Sequence, residues 1–335
     1  MLEWEAISVL GEHITVIPTN QHSDLYWALS GGGGGIYVIV MLMIVRVFLD
    51  GDDISLALLS ITLENAGGVN AYWDAVSIYY AQLQPLVDQG FVAEYMITND
   101  SLNLYGMIAP GHTAESLRST MNPMLSALTS NVSSTLTVDA IGLTITQWSS
   151  YHALYTATIG PLMVNNTFVP AVSGRFLRRE VIENDSATWH AALRRVASIG
   201  NGHLASITTL NARNKHRLAA VSPNSLQPNF ETAFSSIIIT PNWSNAFPWS
   251  EAAVLEQQLQ YEVMPILEEA TPGAGVYKNE ASWAQGDFQE AFYAGTYRRL
   301  KEIKKKYDPQ GVLYGLTAVG SEKWVSDSEG RLYVV

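Results

Sequence analysis

Five consecutive glycines, Gly31 to Gly35, constrain this chain more than any other feature. A run without Cβ atoms opens φ > 0 and lets another backbone or a ligand approach closely. Before it, Ser23-Asp24 followed by Leu25-Tyr26-Trp27-Ala28-Leu29 reads as a short capped helix. After it, the apolar, β-branched stretch from Ile36 to Val45 reads as a buried strand continuing to Leu49. That stretch falls well short of the ~20 residues a membrane helix needs. The order helix, glycines, strand is the reverse of a dinucleotide fingerprint and also excludes a Walker loop. The glycines form either a tight structural turn or a loop that contacts a cofactor, and spacing alone leaves both open.

Composition narrows the class. With 47% apolar and 15% charged residues, the 335-residue chain is built for a large buried core, divided into roughly two domains. The 19 basic against 31 acidic residues give a net charge of −12, which argues against a nucleic-acid partner. The one dense basic run, Arg298, Arg299, Lys301, Lys304, Lys305 and Lys306, reads as a solvated helix face. The absence of cysteine excludes disulfides, thiolate metal sites and a thiol nucleophile. Five N-x-S/T sequons, at Asn99, Asn131, Asn165, Asn184 and Asn242, are compatible with a secretory route. The opening Met1-Leu2-Glu3-Trp4-Glu5 has no basic leader region, so no signal peptide and no membrane partner are expected.

Along the chain, Trp4–Val9 and Ile14–Ile17 read as a hairpin, and 50–53 as an acidic linker. Helical patterns follow at 53–65, 70–88, 113–129, 145–157, 186–199, 250–270 and 287–306. Strand patterns fall at 91–98, 102–109, 135–141, 203–210 and 233–240. Asn99-Asp100-Ser101 between two of them signals antiparallel pairing. The last helix is expected to bury Phe292, Leu300, Ile303 and Tyr307 and to stop at Asp308-Pro309.

Two stretches could carry chemistry. One is the glycine run. The other is Tyr277-Lys278-Asn279-Glu280-Ala281-Ser282-Trp283. If extended, it would point Tyr277 and Asn279 one way and Glu280 the other. A carboxamide can hold a flavin or substrate edge, and a half-buried Glu becomes a competent base as its pKa rises. An ordinary loop with a satisfied Asn is the other reading. The histidines (His13, His22, His112, His152, His190, His203, His216) show no metal-ligand spacing and read as structural, and no G-x-S-x-G elbow occurs.

The segments Leu25-Tyr26-Trp27-Ala28-Leu29-Ser30 with the glycines, Tyr277-x-Asn279-Glu280-Ala281, Phe292-Tyr293 with Tyr297, Tyr307-Asp308-Pro309 and Thr317-Ala318-Val319-Gly320-Ser321-Glu322-x-Trp324 occur in a recognisable order. Together they resemble the fungal branch of the berberine-bridge-enzyme-like FAD-linked oxidoreductases, of the vanillyl-alcohol-oxidase type. The resemblance implies an α+β architecture: part of a PCMH-type FAD-binding domain plus a substrate domain whose antiparallel sheet is covered by helices. Residues 1–50 would be the end of the FAD domain, 51–275 the substrate domain and 276–335 the return to the FAD domain. It implies oxidation of an alcohol, sugar or secondary metabolite, with a hydride passing to FAD and O2 as final acceptor. Asn279 would contact the flavin together with Gly33, Gly34, Gly35, Tyr37 and Ile39. Glu280, where plant members carry a Tyr base, or Tyr277 would accept the proton.

The same resemblance implies that the upstream half of the FAD domain, with its pyrophosphate loop and covalently linked His, lies outside this chain. Weak or no FAD binding by the chain alone is then expected. Its partners would be a small-molecule substrate and a complementary FAD-domain half or full-length paralogue. Many relatives are secreted. The family's Gly-Thr-Tyr-Gly-Val-Val reads here Gly35-Ile36-Tyr37-Val38-Ile39-Val40, so Val38 is expected to crowd a ligand and to resist φ > 0. Pro-x-Trp-Arg becomes Pro228-Asn229-Phe230-Glu231, which inverts a charge. The alternatives to an oxidoreductase are a cofactor-free cyclase or pericyclase and an inert binding partner.

Overall fold

The computed structural model describes all residues except 48–50, 52, 162–170, 201, 213–221 and 243–247. Part of the acidic linker, the Asn165 sequon and His216 therefore lie outside the described residues. The chain divides into two compact units: Met1–Val47 with Arg217–Phe230 and Trp283–Val335, and Phe48–His216 with Glu231–Ser282. Compared with the breaks read at 50 and 275, the first unit also takes in 217–230, and 276–282 goes with the second.

In the first unit, β1 (Glu3–Ile7) and β2 (His13–Val16) form the expected hairpin, Trp4 opposite Val16, turning through Gly11 at φ +82°. β3 (Ile39–Ile44) joins the other side of β1, giving the order β2-β1-β3. β3 departs from expectation: it is shorter, and Ile39, Met41, Leu42, Met43 and Ile44 are exposed. The helix α1 (Ser23–Leu29) buries Leu25, Tyr26, Ala28 and Leu29. Its Asp24 turns to the C-terminal helix Tyr297–Tyr307, accepting from Tyr307 Oη at 2.9 Å and Lys306 Nζ at 2.7 Å.

That C-terminal helix corrects one reading. Lys304 is buried with Leu300 and Ile303, so the basic run is not uniformly solvated. Its Nζ donates to Asp308 Oδ2 at 2.6 Å, to the Leu313 carbonyl at 2.7 Å and to the Ile36 carbonyl. A buried ammonium is tolerable only when paired and fully hydrogen-bonded. Asp308 in turn accepts from the N–H groups of Val312 and Leu313, both at 2.9 Å.

The second unit is a seven-stranded, wholly antiparallel sheet, covered on one face by helices. Its strands are β4 (Ile54–Thr62), β5 (Val92–Ile97), β6 (Ser101–Pro110), β7 (Thr144–Trp148), β8 (Ser173–Arg178), β9 (His203–Thr209) and β10 (Ala233–Pro241). The order is β7-β4-β6-β5-β9-β10-β8. The helices α2 (Val69–Asp88), α3 (Ala114–Asn131), α4 (Arg179–Ala197) and α5 (Met264–Ala270) share one apolar core with the sheet. Residues 53–65, read as helix, are mostly β4. A short Leu/Ala/Ile run has no decisive period, and here it is buried between two neighbouring strands. Residues 144–148 are likewise strand, and β8 was not anticipated. The stretch 135–141, read as strand, is turns.

Candidate functional site

β5 and β9 alternate strictly, and β10 does so from Ser235 onward, so each shows one residue set to the helices and another to the open face. Ala93, Tyr95 and Ile97 point inward, as do Ala205, Ile207 and Thr209. Tyr95 Oη and Ser235 Oγ both bond Thr209 Oγ1, at 3.1 and 2.6 Å, which satisfies three polar groups inside the core. On the opposite face, register aligns Glu94 with Thr208 and Thr208 with Ser236. The result is a polar row running straight across three neighbouring strands, with Tyr105 Oη bonded to Ser206 Oγ (3.0 Å) beside it.

The strip 276–282 lies against β8. The Phe176 N–H donates to the Gly275 carbonyl at 2.9 Å. A Cβ at Gly174 would sit 2.6 Å from the Glu280 carbonyl oxygen and 2.7 Å from Val276 Cγ2, so glycine is what lets the strip approach. Lys278–Glu280 is a single 3-10 turn, closed by the Glu280 N–H donating to the Tyr277 carbonyl at 2.9 Å, and not the extended segment considered above. Asn279 is exposed and its Nδ2 donates to Tyr277 Oη at 2.7 Å, so these two do share a side.

Glu280 goes its own way: its Oε2 accepts from Ser236 Oγ at 2.7 Å, which joins it to the end of the polar row. Burial raises the Glu280 carboxyl above the ordinary range, and the Ser236 bond opposes this only in part. Burial raises Glu94 as well, and it pushes the neighbouring Lys278 ammonium down to about 8. A half-buried carboxylate with increased proton affinity and an orienting hydroxyl is suited to taking a proton from substrate. The sequence reading missed Glu94, Thr208 and Ser236. Their alternation is visible in Val92–Ile97, but the registers that align them come only from long-range pairing.

In the first unit the glycines divide by role. A Cβ at Gly31 (φ +132°) would meet Leu226 N at 2.4 Å, and one at Gly32 would meet Leu300 Cδ2 at 2.5 Å; these two are structural. Gly33 holds φ +93°, and Gly34 and Gly35 face open space. Tyr37 is buried with its hydroxyl donated to the Gly32 carbonyl at 3.2 Å, while Ile39 is exposed. Val38 is also buried, and its backbone is not at φ > 0, so the strain expected at that position does not arise.

Among the described residues no cluster of His, Asp and Glu could hold a metal ion, and no helix is long and apolar enough to cross a membrane.

The family model "Berberine and berberine like" matches residues 276–315, beginning at the Tyr277–Glu280 strip. The chain is 31% identical over 335 residues to the VAO-type flavoprotein oxidase VAO615 of Thermothelomyces thermophilus, covering 99% of this chain and 56% of that protein. It is also 31% identical over 349 residues to the bifunctional decalin synthase calF of Penicillium decumbens, again covering 99% and 56%. The crystal structure of the VAO-type flavoprotein MtVAO615 from Myceliophthora thermophila C1 superposes with a TM-score of 0.87 at 30% identity, over 100% of this chain and 59% of that one. The chain thus spans just over half the length of the relatives it matches. With its helix-covered antiparallel sheet and its match to the berberine-like family model over 276–315, the chain is similar along its whole length to part of the berberine-bridge-enzyme-like, VAO-type FAD-linked oxidoreductases.

Proposed function

We propose that this chain provides the substrate sheet and the flavin-facing strip of an FAD-dependent oxidase acting on an alcohol, a sugar or a small secondary metabolite. The observation that carries the reading is the half-buried Glu280 carboxylate, raised in proton affinity and oriented by Ser236. The exposed Asn279 carboxamide fits the polar edge of a flavin, and the open backbone at Gly34 and Gly35, next to Gly33 at φ +93° and flanked by Ile39, fits close approach of a nucleotide. The buried Tyr37 supports that bend from behind.

Bound FAD would supply the hydride acceptor, and O2 would restore it. Glu280 takes the substrate hydroxyl proton while the carbon loses hydride, so the substrate gives up two electrons and becomes a carbonyl. Ser236 holds the carboxylate still, and Tyr277 orients Asn279 or takes the proton in Glu280's place. The complementary FAD-domain segment is the partner this reading requires. The exposed apolar edge strand β3 is the surface it would cover.

The test is co-expression with the portion of MtVAO615 outside the matched region, followed by peroxide assay on a panel of alcohols and sugars. Glu280→Gln is expected to lower turnover by ~10²–10⁴-fold; unchanged turnover would overturn the assignment. A cofactor-free cyclase is the second reading, favoured by the likeness to a decalin synthase. Product formation without flavin or O2 would select it.

A further inference from the structure

The C-terminal part of the first unit contains a cavity of about 370 Å³, within the ~300–1,000 Å³ range of small-molecule sites. Five cationic side chains line it against two carboxylates, in a chain whose net charge is −12. Two of the cations are internally neutralised. Lys304 is bonded to Asp308, and Lys301 Nζ lies 2.6 Å from Glu322 Oε1. Arg298, Lys305 and Lys323 have no carboxylate partner among the described residues. Favourable interaction with the helix dipole explains cations in a last turn. It does not explain Arg298, which lies at the helix start, or Lys323, which lies beyond the helix.

The same lining also carries aromatic rings. Tyr314 and Trp324 meet edge to face with centroids 6.3 Å apart. A Cβ at Gly311 would lie 3.1 Å from Trp324 Cζ2, so the bare backbone there lets the indole pack closely. Unpaired cations and flat aromatic surface in one lining define a ligand by chemistry. We propose that this cavity binds an organic anion with an aromatic body, its carboxylate or phosphate held by Lys305, Lys323 and Arg298 and its ring packed on Trp324 and Tyr314. The site lies wholly within the first unit and draws on none of the residues given a role in oxidation, so it stands independently of the proposed function.

Calorimetric titration of the full chain with 2-naphthoate, 2-naphthyl phosphate and neutral 2-naphthalenemethanol tests it. At least one anion should bind one-to-one and about tenfold more tightly than the alcohol. Whichever anion binds better identifies the head group. Lys305→Gln with Lys323→Gln should weaken the anion by about tenfold and leave the alcohol unchanged. Arg331→Gln, outside the lining, should change nothing. Should the double variant misfold, a roughly tenfold rise in salt must weaken the anion and spare the alcohol in the unaltered chain. Equal affinity for anion and alcohol, an unaffected double variant in its folded form, salt-insensitive anion binding, or no saturable heat would each overturn the proposal.

Discussion

Lys304 and Asp308 show how much one residue pair decides. Burial would raise the Asp308 carboxyl, but Lys304 and the Leu313 and Val312 N–H groups outweigh it and hold the carboxyl below its ordinary range. A depressed folded-state pKa means that the unfolded chain binds the extra proton. The pair's contribution is therefore present above the ordinary Asp range and lost as pH falls through the lowered value. Lys304→Met removes the buried carboxylate's cationic partner, leaving it only the Val312 and Leu313 N–H groups, and should cost ~3–5 kcal/mol in chemical denaturation at neutral pH. Glu280 has the opposite sign. Its raised pKa means that the folded state favours the protonated form, so stability declines as pH rises from the ordinary Glu range through the raised value. Glu280→Gln should raise Tm slightly at neutral pH while lowering turnover of the assembled oxidase as above, and a lowered Tm would mark Glu280 as structural instead. Gly174→Ala should displace the strip and cost ~1–3 kcal/mol, read by the same denaturation.

At the scale of elements, β3 offers an open edge and exposed apolar side chains on both faces. Edge strands of this kind associate. Met41→Lys with Met43→Glu should reduce the light scattering of the isolated chain and weaken capture of the complementary FAD segment. Element by element, legibility followed period and length. The long amphipathic helices 69–88 and 114–131 and the alternating strands 92–97 and 203–209 could be read from sequence. β4 could not, because a buried strand and a buried helix share an apolar pattern over a short span. At the site, Glu280 and Asn279 stood out by residue type. Ser236 as Glu280's partner did not, since that contact joins residues 44 positions apart. Lys304 failed as a surface residue because its partners come from the glycine loop and the loop after the helix.

At the scale of the molecule, the fold has a hydrophobic core adequate for the seven-stranded unit, whereas the three-stranded sheet leaves its apolar edge strand bare. The proposed reading would account for that asymmetry: the second unit would supply the substrate face, and the first a glycine bend placed against a prosthetic group. Equilibrium titration with FAD, following flavin absorbance, tests this most directly when run on the chain alone and on the chain with the remaining segment of MtVAO615. Little or no binding is expected alone. Stoichiometric binding is expected with the segment, weakened by about tenfold in Asn279→Leu. Stoichiometric FAD on the chain by itself, or none in the complemented protein, would contradict the account.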